Sequence, residues 1–282
     1  MRSARREALL LLAPGGLLLA VVTALPMLLV LWLSFETRSV FRPPAFAGLD
    51  NYLRLAYDPR FWNALWNTVY FALVSVTLEL VLGMAIALLV ARAGRVRSLV
   101  YGAMLVPWAI PTVASARMWE WMYNAEFGVI NSLLGAQINW LGDPLLALHA
   151  AIAMDVWKST PFVALLLLAG LQSIPPDLYR AAAIDGARAW TTFRRITLPL
   201  LVPVILVAIV FRTIDALRVF DAVYVLTGGG PANGTETLSI YAYKALFQTL
   251  EFGYGSALAV AVLAITAAAT IIYARLLRAG GQ

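Results

Sequence analysis

Long runs of apolar residues, separated by short basic or Gly/Pro-containing stretches, dominate the chain. Six stand out, at roughly 9–35, 66–91, 99–122, 145–172, 200–226 and 255–275. Each reaches the ~20 residues that a helix needs to cross a hydrocarbon core of about 30 Å. The pattern predicts an all-α polytopic membrane protein with six transmembrane helices. The first run follows Met1-Arg2-Ser3-Ala4-Arg5-Arg6-Glu7, a basic start like that of a signal peptide. From Ala8 to Phe35, however, it far exceeds the ~7–15 apolar residues of a cleavable segment, so it is read as a retained span. Pro14 and Pro26 predict kinks within it. With no internal repeat, low-complexity tract or linker, one transmembrane domain over 1–282 is the simplest account.

Composition narrows the class. Of 282 residues 62% are hydrophobic and 13% charged, against about 45–50% and ~25% in soluble domains. That excludes a soluble globular enzyme, a disordered tail and a nucleic-acid-binding module. The net charge of +6 is distributed unevenly. With the N-terminus inside, the inner segments hold Arg2, Arg5, Arg6, Arg92, Arg95, Arg97, Arg180, Arg188, Arg194, Arg195, Arg275 and Arg278. The outer ones hold Arg38, Arg42, Arg54, Arg60 and Lys244. The bias places both termini in the cytoplasm. Aromatic residues on the outer segments, among them Tyr52, Trp62, Phe127, Trp140 and Tyr254, suit a surface lying on the bilayer. Cysteine is absent and His149 is the single histidine, so thiolate chemistry and multi-histidine metal sites have no basis.

The segment from Ile174 to Pro199 is polar where a loop should be short. Pro175 and Pro176 suit a first helical turn, and Asp177 complements the helix dipole there. Gly186 can supply the left-handed residue that ends a helix. A second helix then starts near Ala187 and stops before Pro199. Two short helices meeting at a glycine make an elbow, read either as an amphipathic interfacial helix–turn–helix or as a docking element.

Here the chain resembles the permease subunits of binding-protein-dependent ABC importers, in their carbohydrate branch. Their EAA loop reads Glu-Ala-Ala, three residues, then Gly. Arg180-Ala181-Ala182 and Gly186 stand at those positions, followed by Phe193, Ile196, Leu198 and Pro199. Leu226-Thr227-Gly228-Gly229-Gly230-Pro231 and Gly48-Leu49-Asp50-Asn51-Tyr52 extend the match over most of the chain. The departure is Arg180 where the family usually has Glu. The resemblance implies the type I ABC importer permease fold, with 173–199 as the coupling loop seated in an ATPase cleft. It assigns that contact to Arg180, Ala181, Ala182, Asp185, Gly186 and Phe193. It implies half of a pore for a sugar such as trehalose or maltose, and a multi-pass place in a bacterial or archaeal cytoplasmic (inner) membrane. The implied partners are a second permease subunit, two ATPase subunits, an extracytoplasmic solute-binding protein, lipid and sugar, with no nucleic acid. The chain has no G-x-x-x-x-G-K-[ST] loop, so ATP and Mg belong on the ATPase subunits and no cofactor is expected on this chain.

Charges within the runs are costly and mark paired or wet positions. Glu79, Arg117, Glu120 and Asp221 are read as structural. Asp155 and Lys158 share one helical face, able to pair when no sugar is bound, and Arg212, Asp215, Arg218 and Asp221 recur at spacings of three. Asp155, Lys158, Arg212 and Asp215 are read as a polar path. The resemblance adds Trp108, Thr112, Ser159, Phe162, Ala216 and Val219 as sugar-facing positions. An ion-coupled secondary transporter is the alternative. It would call for inverted repeats, which the sequence does not show, and leaves the elbow unexplained. A membrane-embedded enzyme is disfavoured by the residue inventory.

Overall fold

The computed structural model describes residues 2–41, 43–94 and 97–280. Arg42 and Arg95 of the charge balance lie outside the described residues. Among the described residues the secondary structure is helical, with one isolated antiparallel bridge between Glu36 and Phe46. Five helical stretches are long and apolar enough to span a membrane: Leu11–Leu33, Pro59–Arg92, Pro144–Ser173, Ala189–Leu217 and Phe252–Tyr273. The expected third span is a bent pair, Leu99–Ala109 and Thr112–Met122, meeting at 92°.

Proline explains three departures from the sequence expectation. Pro111 has no N–H to donate and its ring disfavours the helical conformation of Ile110, so the third span breaks there. In the first span α1 (Arg2–Leu19) and α2 (Leu25–Leu33) are joined by a π-helical turn, Ala20–Ala24. That turn contains Val22, four residues before Pro26, where the ring would meet a carbonyl in a regular α-helix. The same device recurs later. The second helix of the elbow, expected to stop before Pro199, instead passes through a π-turn at Phe193–Thr197 and runs on to Leu217. The fifth span therefore ends at Leu217 rather than near 226.

The chain divides into two compact units. One comprises Met1–Phe61 and Tyr241–Leu263. In it the Gly48–Tyr52 motif opens α3 (Asp50–Tyr57). Buried Asn51 donates its amide to the carbonyls of Ser34 and Glu36, both at 2.9 Å. The last carbonyls of the first span are thereby satisfied by a side chain. Asp58 accepts from the hydroxyls of Tyr241, at 2.5 Å, and Tyr254. Arg54 pairs with Glu251 at 2.9 Å and lies 3.9 Å from the Tyr254 ring centroid. Burial would raise the Asp58 carboxyl, but the two tyrosine hydroxyls hold it below the usual carboxylate value; burial and the same contact push Tyr241 up to about 12.

The other unit comprises Trp62–Ile240 and Ala264–Gln282. It contains most of α4 (Pro59–Arg92), then α5 (Arg97–Ala109), α6 (Thr112–Met122), α7 (Val129–Leu134), α8 (Pro144–Ser173), α9 (Pro176–Ile184), α10 (Ala189–Thr192), α11 (Leu198–Leu217) and α12 (Asp221–Thr227). The chain continues through α13 (Leu238–Phe247) and α14 (Phe252–Gly280). Helix α8 is the most buried span. Asp143 caps it by accepting from the backbone of Leu145 and Leu146 at 2.9 Å. Gly83 and Gly170 let α4 and α11 approach α8 so closely that an added Cβ would meet Val163 or Val204. The segment that follows the Thr227–Pro231 motif is held from α4: Asn63 and Asn67 donate to the Asn233 carbonyl, and the Thr68 hydroxyl accepts from Leu238 N–H at 2.9 Å.

Candidate functional site

A cavity of about 310 Å³ opens where α6, α8, α11 and the start of α12 converge. It is lined by Thr112, Asp155, Lys158, Ser159, Arg212, Asp215, Ala216 and Val219, eight of the ten residues assigned to the solute path. The other two, Trp108 and Phe162, do not line it. Their rings stack on each other at 6.0 Å, and Phe162 meets Phe211 edge-on at 6.4 Å. Sequence reasoning missed Arg218, Phe220 and Ala222 as lining residues, and assigned Asp221 a structural role although it also lines the cavity. The short break between α11 and α12, which brings these four to the wall, has no signal in an apolar run.

The charges pair differently from the sequence expectation. Asp155 does not bond Lys158; its partner is Arg212, Nη2 to Oδ2 at 3.0 Å. Arg212 also grips Glu79 bidentately, Nε to Oε2 at 2.5 Å and Nη2 to Oε1 at 2.7 Å. Its Nη1 reaches Asp215 at 2.6 Å, and Asp215 holds Arg218 at 3.4 Å. The Glu79 side chain is 0% exposed and that of Arg212 5%, so the guanidinium is spent on holding α4, α8 and α11 together. Asp215, 56% exposed, carries the other end of this network into the open cavity. A planar fork with five donors can serve three carboxylates at once, one of them bidentately.

Lys158 has another task. Its ammonium donates to the Ile110 carbonyl at 2.5 Å and lies 3.5 Å from that of Trp108. Those carbonyls end α5 where Pro111 breaks the span, and in a bilayer they need a donor from elsewhere. A cation there also meets the negative end of the α5 dipole. His149 is occupied as well: Nδ1 donates to the Leu145 carbonyl at 2.7 Å, and Nε2 accepts from Tyr70 at 2.8 Å. Both ring nitrogens are engaged, and His149 does not line the cavity.

The glycine turn of the elbow has the geometry expected of it. Helix α9 ends at Ile184, and Gly186 two residues on has a φ of +68°. The Gly186 N–H donates to Ala183 at 3.1 Å and the Ala187 N–H to Ala182 at 2.9 Å, closing a Schellman turn. Ala181 and Ala182 do not share one docking face: Ala182 is buried in its own chain, whereas Ala181 is exposed beside Ile184, itself 86% exposed. Arg180 pairs along the helix with Asp177 at 3.0 Å, and both are exposed. Phe193 stacks on Trp190 at 5.6 Å.

Residues 79–279 match the family described as the binding-protein-dependent transport system inner membrane component. The chain belongs to this family. It is a multi-pass inner-membrane transport component, not an enzyme. The chain is 45% identical over 269 residues to the trehalose/maltose transport system permease protein MalF of Thermococcus litoralis, covering 94% of this chain and 91% of that one. It is 41% identical over 283 residues to the trehalose transport system permease protein SugA of Mycobacterium tuberculosis, covering 99% and 92%. It is 40% identical over 280 residues to the sulfoquinovosyl glycerol transport system permease protein SmoG of Agrobacterium fabrum, covering 97% and 91%. A chain in the crystal structure of a bacterial ABC transporter that imports the acidic polysaccharide alginate shares the fold, with a TM-score of 0.86, 98% and 97% coverage and 24% identity. The chain thus has the all-α importer-permease fold.

Proposed function

We propose that this chain is half of the pore of an ATP-driven sugar importer, acting as one permease domain with both termini in the cytoplasm. Its solute is a di- or oligosaccharide such as trehalose or maltose. The single observation that carries the reading is the 45% identity, over nearly the whole chain, to a trehalose/maltose permease. The chemistry of the cavity supports it. Thr112, Ser159, Asp155 and the exposed Asp215 offer hydroxyl and carboxylate partners for sugar hydroxyls. Arg212, which lines the same cavity, holds two of those carboxylates in place through its ion pairs.

An extracytoplasmic binding protein delivers the sugar, a second permease completes the pore, and two ATPase subunits bind ATP and Mg. The exposed face of α9, with Leu178, Ala181 and Ile184, is the surface that seats in an ATPase cleft. Gly186 turns the chain from that seat into the helix that leads to the cavity. The test is reconstitution of the complex in vesicles. Loaded binding protein should stimulate ATP hydrolysis, and sugar uptake should require ATP. Uptake driven by a proton or sodium gradient without ATP would establish the secondary-transporter alternative instead.

A further inference from the structure

We propose that an anionic phospholipid occupies a groove at the end of α4, beside the elbow. The groove has a volume of about 690 Å³. Its floor is one face of α4, with Val81, Met84, Ala85 and Leu88 at helical spacings of three and four. Its facing wall is the stacked pair Trp190 and Phe193. Trp190 is 69% exposed and Val81 63%, which is stable against acyl chains and unfavourable against water.

Charge identifies the occupant. Arg92, in the last turn of α4, lines the groove, and Arg188 and Arg194 flank Trp190 and Phe193 in sequence. None of these arginines pairs with a carboxylate among the described residues. An unneutralised Arg92 at the end of a span, lining an apolar trough, suits a phosphate whose acyl chain fills the trough. A sugar would find few partners there, and an uncharged lipid would leave the arginines unused. Tyr179 of α9 also lines the groove and meets the Thr197 hydroxyl at 3.2 Å, so the lipid would touch the elbow itself. The inference rests on the cytoplasmic placement of this end proposed above.

The test uses the assembled importer in phosphatidylcholine vesicles. These contain either brominated-chain phosphatidylglycerol or brominated-chain phosphatidylcholine at matched mole fractions. Quenching of Trp190 is read as the difference between the wild type and Trp190→Phe. Half-quenching should need about fivefold less phosphatidylglycerol than phosphatidylcholine, the preference that one interfacial arginine confers. Arg92→Gln, at an exposed position, should abolish that preference and keep the quenching, whereas Ala85→Phe should fill the trough and reduce both. Equal potency of the two lipids would overturn the proposal. So would absence of quenching by either lipid, the result expected if a helix of the partner permease fills the groove. The same vesicles report sugar uptake, so a preparation that imports sugar without lipid preference overturns this inference alone.

Discussion

Arg212 and Glu79, 133 positions apart in sequence, form two parallel charge-assisted hydrogen bonds with the carboxylate fully buried. Removing one partner strands the other in a dry environment, at a cost of about 3–5 kcal/mol. Glu79→Leu or Arg212→Met alone should therefore abolish accumulation of folded complex. The double variant should recover part of it, because no side is left unpaired except the shared carboxylate of Asp155. Yield and thermal stability of the purified complex measure this, and additive losses in the double variant would contradict it.

Lys158→Met tests the broken span. It deletes the donor to the Ile110 carbonyl, and a hydrogen bond from a charged group is worth about 1.5–3 kcal/mol. The complex should assemble with a lowered melting temperature, and uptake should fall more than stimulated ATP hydrolysis. An unchanged melting temperature would mean that the break needs no cation.

Gly186→Val should uncouple the machine. A β-branched residue at positive φ costs about 1–2 kcal/mol locally and distorts the Schellman turn. Stimulation of ATP hydrolysis by loaded binding protein should drop severalfold while the spans stay folded. Arg180→Glu exchanges an exposed pair for an exposed like-charge contact and should shift stability by no more than about 0.5 kcal/mol. Normal stimulation in Gly186→Val would remove α9 from the coupling role.

Thr112→Val removes a hydroxyl from the cavity wall without orphaning a charge, and should raise the sugar concentration for half-maximal uptake. Trp108→Ala acts elsewhere, on the aromatic stack with Phe162, and should lower stability more than it changes the uptake constant. The reverse ranking would place the sugar on the stack.

Asp58 gives a pH signature. Its carboxyl lies below the ordinary 3.8 in the folded chain, so its contribution is present above that value and lost as pH falls through the folded pKa. Tyr241 is raised from 10.0 to about 12, so its contribution is complete below pH 10 and lost as pH rises through 12. Thermal stability should thus be flat between about 4 and 10 with respect to this cluster. Asp58→Asn should cost about 1–2 kcal/mol and flatten the acid limb.

Much of this was legible in the chain. Hydropathy located the five long apolar helices and the bent pair at the third position, because a bilayer imposes length and apolarity on any helix inside it. Gly186 was legible because a single residue type tolerates its φ. The pairing was not. Asp155 and Lys158 share a helical face, which invited a local bond, but three carboxylates compete for Arg212 and a broken helix competes for Lys158. Those competitors are distant in sequence and appear only when α4, α5 and α11 pack on α8. The π-turn before Pro199 was hidden for a different reason: proline reads as a stop, although widening the helix by one residue accommodates it.

That π-turn has a mechanical consequence. Because the helix passes through it, Ala189 to Leu217 is a single rod of 29 residues, about 43 Å long at 1.5 Å per residue. It begins three residues beyond the elbow glycine, and Arg212 lies near its far end. A severed helix would dissipate a displacement at the elbow in a flexible joint. Under the coupling role proposed for the elbow, a continuous rod would instead deliver it as a lever stroke to the guanidinium that ties the three spans together, so that the motion of one short helix would be felt across the full depth of the bilayer.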